Sequence, residues 1–110
     1  MVILVGEKVS KEDLKSAAED YFGEYIKIVV DVETGAMAVG GEWHADGERL
    51  MLNAGCQQAN LWGGGLDLKT NQINYSAMTN IKPLVNKTHV IEDSKLREIF
   101  NNIVKQKFGL

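Results

Sequence analysis

Apolar positions recur at helical spacing near both ends of the chain and at strand spacing between them. Leu14, Ala17, Ala18, Tyr21 and Phe22 fall on one side of a 3.6-residue repeat, which predicts an amphipathic helix. Ser10 supplies a hydroxyl cap ahead of it, Glu12 and Asp13 sit where the helix dipole favours carboxylates, and Gly23 is a natural stop. Leu96, Ile99, Phe100, Ile103, Val104 and Phe108 repeat the pattern behind a cap from Asp93 or Ser94. That second helix closes on Lys105, Lys107 and Gly109. Before the first helix, Val2 to Val5 reads as a short buried strand that ends at Gly6.

From Tyr25 the period shifts to two. Ile26, Ile28, Val30 and Val32 alternate with Tyr25, Lys27, Val29 and Asp31, as in a half-buried strand. Glu33-Thr34-Gly35 makes a turn, and Ala36 to Trp43 returns beside it as a hairpin. Ala45-Asp46-Gly47-Glu48 holds the Asp-Gly pair of tight hairpins, so Glu48 to Asn53 is read as a further strand. Arg49-Leu50-Met51-Leu52 would equally suit the start of a short helix. Leu61 to Leu68 and Gln72 to Met78 pair across Lys69-Thr70-Asn71, and Pro83 opens an irregular connection. The order of strand, helix, strands, helix predicts an α+β fold. Its antiparallel sheet has five or six strands, with two amphipathic helices packed on one face. No linker, repeat or low-complexity tract interrupts the chain, so residues 1–110 are expected to form a single domain.

Composition narrows the functional classes. With 45% hydrophobic and 25% charged residues the chain has the make-up of a folded protein. No run approaches the roughly 20 apolar residues of a membrane helix. Met1 to Val5 is too short for a secretory core, so a cytoplasmic protein with no membrane role is expected. A net charge of −3 argues against nucleic-acid binding, which needs a basic surface; only the last helix, with Lys95, Arg97, Lys105 and Lys107, offers one. The charge is uneven: residues 1–68 carry 5 basic and 12 acidic groups, residues 69–110 carry 7 and 3. An acidic face of one copy meeting a basic face of another would make a homo-oligomer. A lone cysteine excludes an internal disulfide and a multi-cysteine zinc site.

Candidate chemistry centres on Glu42-Trp43-His44-Ala45-Asp46. If this stretch is extended, Glu42, His44 and Asp46 share a face, and an imidazole with two carboxylates suits a divalent metal or general-base work. Asp67 would add an oxygen. The competing reading is a solvated strand end, with Asp46 shaping a turn. Cys56 has no helix N-terminus or basic neighbour to activate it and reads as an ordinary thiol; His89 reads as a loop residue. Leu61-Trp62-Gly63-Gly64-Gly65-Leu66 lacks the Lys and Ser or Thr of a phosphate loop, since Asp67 and Leu68 follow. Its glycines mark a bulge or a close approach by a ligand or a second subunit. Trp43, Trp62, Gly63, Gly64 and Gly65 are therefore the ligand-binding candidates; the two tryptophans would then line one surface, while the favoured reading of such large aromatics is that they plug the edges of a small core.

Three stretches, Gly40-Gly41-Glu42-Trp43-His44-Ala45-Asp46, Leu61-Trp62-Gly63 and Met78-Thr79-Asn80-Ile81-Lys82-Pro83, carry a resemblance. The chain resembles, over nearly its whole length, an uncharacterised family of small prokaryotic proteins classed as a domain of unknown function. Glu42, His44 and Asp46 match the family's pattern, whereas larger residues are expected after Trp62-Gly63, where Gly64 and Gly65 stand. The resemblance implies a stand-alone cytosolic protein and carries over no activity, cofactor or catalytic residue. The reading that follows is a small non-enzymatic binding or interaction module that self-associates, its small-molecule ligand unidentified. The alternative is a metal-dependent hydrolase or lyase using Glu42, His44 and Asp46.

Overall fold

The computed structural model describes residues 1–110. Ile3–Val5 forms strand β1, and Ser10 then opens helix α1, Lys11–Ala18. The Ser10 hydroxyl accepts from Asp13 N at 3.0 Å while the Asp13 carboxylate accepts from Ser10 N at 3.2 Å, so two orphan donors of the first turn are satisfied reciprocally. The helix is shorter than its apolar stripe predicts. After Ala18 the chain tightens into a 3-10 turn, Glu19–Tyr21, and Phe22 adopts a left-handed conformation with φ 57°. Phe22 therefore leaves the core and is 95% exposed, because the chain must reverse there to enter the sheet.

Strands β2 (Tyr25–Asp31) and β3 (Met37–Val39) form the expected hairpin, and β4 (Leu61–Asp67) and β5 (Ile73–Asn74) the second. The sheet is antiparallel throughout, in the order β1-β3-β2-β4-β5, with β2 central and paired to β4 from Tyr25↔Asp67 to Asp31↔Leu61. The α+β class holds. The arrangement of helices does not match the expectation of two on one face: a third helix, α2 (His44–Asn53), covers the opposite face. Of the two readings of residues 48–53, strand or helix, the helix holds: they belong to α2, which begins earlier, at His44.

Gly40 and Gly41 make the entry to α2. Both have φ near 89°, a pair of left-handed residues that turns the chain sharply off the end of β3. A Cβ on Gly40 would collide with the Met1 carbonyl and with Ala17, so the turn also packs against α1. The Asp-Gly pair read as a hairpin lies inside α2 instead. Gly47 is buried, and a Cβ there would stand 3.1 Å from a Val29 methyl, so the missing side chain lets the helix lie close on β2. Gly47, Leu50 and Met51 then form the helix's inward stripe, and Met51 is fully buried against Val29, Ala38 and Leu61.

The larger core lies between the sheet and the helices α1 and α3, α3 being Ser94–Phe108. Ala17 and Ala18 of α1 and Phe100 and Val104 of α3 cover Ile26, Ile28, Val30, Met37, Val39 and Leu66. Asp93 caps α3 by accepting from Lys95 N at 2.8 Å, and Gly109 ends it with φ 73°. Trp62 belongs to this core at 2% exposure, so it does not share a surface with Trp43. No helix is long and apolar enough to cross a membrane.

Candidate functional site

Between β5 and α3 the chain runs for nearly twenty residues with only one short 3-10 turn, Met78–Asn80. Two buried asparagines hold it. Asn80 Oδ1 accepts from Gly63 N at 2.7 Å, and its Nδ2 donates to Gly63 O at 2.9 Å and to the carbonyls of Tyr75 and His89 at 3.0 Å. The amide thus pairs with both backbone groups of Gly63, as a neighbouring strand would, where β5 has already ended. Asn86 Nδ2 donates to the carbonyls of Asn80, Thr88 and Val90, and its Oδ1 accepts from Glu92 N at 2.9 Å. Between them Lys82 is buried, its ammonium donating to Gln58 O at 3.0 Å and lying 5.0 Å from the centre of the Trp62 ring. Burial presses this amine below its ordinary pKa, and Glu48 works the other way.

The segment stops short of α2 and leaves an open cleft of about 680 Å³ between them. One side is the first turn and a half of α2, with Trp43, His44 and Glu48; the other is Ser76 to Thr79 with Ile81 and His89; Lys27 reaches in from β2. Clefts of this size, part apolar and part polar, are where proteins commonly hold small molecules.

His44 is the best-fixed group in it. Its Nε2 lies 2.6 Å from Gly64 O; the carbonyl is an acceptor, so Nε2–H donates and Nδ1 bears the lone pair. Burial presses the imidazole below its ordinary pKa of 6.5 and the Lys27 cation adds to this, while the Gly64 carbonyl opposes it. The ring rests on bare backbone: a Cβ on Gly63 would stand 3.2 Å from His44 Cδ2 and 2.5 Å from the Ala77 methyl. Glu48, one turn along the same helix face, accepts from the Thr79 hydroxyl at 2.7 Å and so ties α2 to the far wall. Lys27 donates to Glu42 O at 2.9 Å and lies 5.0 and 5.5 Å from the ring centres of Tyr21 and Trp43. Trp43 itself is 64% exposed.

The metal candidates do not gather as an extended stretch would bring them. Because His44 begins a helix, the three side chains diverge. Asp46 turns back to accept from Trp43 N at 3.1 Å, Glu42 is exposed and contributes its carbonyl, and His44 sits on Gly64. Asp67 closes the turn after β4 by accepting from Lys69 N and Thr70 N. No three His, Cys, Asp or Glu side chains converge closely enough to share an ion. Cys56 lies on another part of the molecule, where burial and the Asp31 carboxylate push its thiol pKa up, the reverse of activation.

Of the ligand-binding candidates, Trp43 lines the cleft and Gly63 makes room for His44 and Ala77. The other close approaches to the glycines come from within the chain. A Cβ on Gly64 would meet the Asn74 carbonyl and the Phe100 ring, and one on Gly65 would collide with Tyr25. Lys27, Glu48, Thr79, Met78 and Ile81 escaped the sequence reading. Two signals for them were present: a lysine alone among the apolar residues of β2, and a glutamate four residues after His44.

A family model described as Protein of unknown function (DUF5674) matches residues 3–107, and the chain belongs to that family. No curated protein and no solved structure matches it.

Proposed function

We propose that this member of the family is a small binding protein without catalytic activity of its own, and that the cleft beside α2 receives a small molecule. The observation that carries the reading is the combination in one cleft of an exposed tryptophan and a half-buried, oriented histidine. Lys27 stands over the Trp43 ring, and the exposed remainder of the indole offers a flat apolar surface to a ligand in the cleft. The two tryptophans make the test direct, since Trp62 is buried and Trp43 exposed. Small amphipathic molecules that enter the cleft should quench the emission lost in Trp43→Phe and shift the amide resonances of residues 43–48 and 76–81. If no member of a diverse fragment set moves either signal at millimolar concentration, the reading fails.

Self-association has its own supporting observation. Met78, Ile81, Leu84 and Val85 are all exposed within one eight-residue stretch, and Leu84 is 99% exposed at the tip of a turn closed by Asn86 N donating to Lys82 O. Pro83 precedes it, and Leu84 has φ 67°, a conformation normally left to Gly or Asn. Sedimentation should report a multimer that Leu84→Asn, which suits the turn and removes the apolar tip, converts to monomer. A wild-type protein that is monomeric at high concentration sinks this reading and leaves the cleft unaffected.

A further inference from the structure

What the cleft can bond is set by what its groups have already spent. His44 Nε2–H is used on Gly64 O, and Nδ1 makes no bond within the chain. No buried side-chain nitrogen or oxygen lacks a partner, so Nδ1 must be open to the cleft that the ring lines. Glu48 uses one oxygen on Thr79 and keeps the other, a second free acceptor. The donors beside them are the Lys27 ammonium, with one N–H committed to Glu42 O, the Ser76 hydroxyl and the Gln58 amide, and His89 lines the same cleft. Trp43, Met78 and Ile81 supply the apolar surface.

Three classes of ligand meet this set differently. A carboxylate or phosphate would turn lone pairs toward His44 Nδ1 and Glu48, with Lys27 alone to offset them. A purely apolar molecule would strip water from both acceptors and leave them unpaired, at the full desolvation cost. A flat heterocycle with an amine at its edge brings a donor to the acceptors, ring nitrogens to the donors and a π face to the indole.

We infer that the cleft takes a nitrogen heterocycle of the nucleobase class, its exocyclic amine donating to His44 Nδ1 and its ring lying on Trp43. This rests on the ligand-binding reading above. Protonation of Nδ1 replaces the acceptor with a donor, so binding weakens as the pH falls. Lys27 from β2 opposes that protonation, the Glu48 carboxylate lies on the same helix, and His89 faces the cleft from the opposite wall.

Adenosine and purine riboside, which differs from it in lacking the exocyclic amine, separate the donor from the stacking surface. Calorimetric titration of the full chain should find adenosine tighter by about tenfold, the effect of one well-placed hydrogen bond. His44→Ala should remove that preference, and Trp43→Ala should weaken both nucleosides. Acidification should cost adenosine more than purine riboside, and His89→Gln should leave that difference in place. Equal affinities for the two nucleosides on the unmodified chain would overturn the inference, whatever the fate of the variants. So would failure of both to bind while other fragments still quench Trp43, which would leave the ligand-binding reading standing. If no small molecule touches Trp43, both fall together.

Discussion

On one face of the sheet α1 and α3 lay Ala17, Ala18, Phe100 and Val104 over a continuous apolar surface. On the other, α2 covers Val29, Ala38 and Leu61 with Met51, and the remaining area is closed by main chain pinned through Asn80 and Asn86. Burying apolar area is non-directional and tolerates any shape that excludes water. Hydrogen bonds to a buried amide fix direction and position. The second face can therefore hold a wall at a set distance from α2 and keep a cleft open, where apolar packing alone would favour closing it.

Substitutions on the two faces should separate these roles. Phe100→Ala should have the largest effect, destabilising by about 4 kcal/mol in urea unfolding, because a fully buried ring on the α3 side would leave a cavity above Gly64. Asn80→Ala should cost roughly 3 kcal/mol, since it removes four bonds and leaves the Gly63 N–H and carbonyl unpaired. It should also speed hydrogen exchange at the Gly63 amide; a cost near that of an ordinary surface change would mean that the asparagine does not hold the wall. Leu84→Gly should stabilise the fold by up to about 1 kcal/mol by relieving a left-handed leucine, with no effect on the cleft.

The smallest effect is with pH. His44 has its pKa lowered on folding, so the unfolded chain binds the proton more readily. Its neutral-form contribution is complete above the ordinary value of 6.5 and is lost as the pH falls below it toward the folded value. A His44→Gln variant should show a shallower decline of stability over that range. An identical slope would mean that the imidazole is not held neutral by its surroundings.

The two faces were not equally legible in the sequence. The apolar face was: the stripe of α3, the capping residues Ser10 and Asp93, and the alternation in β2 all correspond to observed elements, because periodicity reports directly on apolar burial. The tight ending of α1 at Ala18 was not, since Phe22 continues the apolar pattern and only the path into β2 turns it outward. On the second face, Asp46-Gly47 carried a strong hairpin signal that tertiary packing overrode. The spacing of Gly47, Leu50 and Met51, and of His44 and Glu48, was the helical signal beneath it. The mistake in local structure carried the site with it, since extended backbone would gather Glu42, His44 and Asp46 whereas a helix disperses them. The bracing by Asn80 and Asn86 has no periodic signature, because each asparagine reaches main-chain groups that only the fold brings near.

The chemistry of the cleft turns on the state of one imidazole. Two-bond proton–nitrogen correlation spectra of the ¹⁵N-labelled protein at neutral pH should show His44 neutral, with its proton on Nε2 and an unprotonated Nδ1. A ring protonated on Nδ1, or doubly protonated, would remove the cleft's oriented acceptor and contradict the reading built on it.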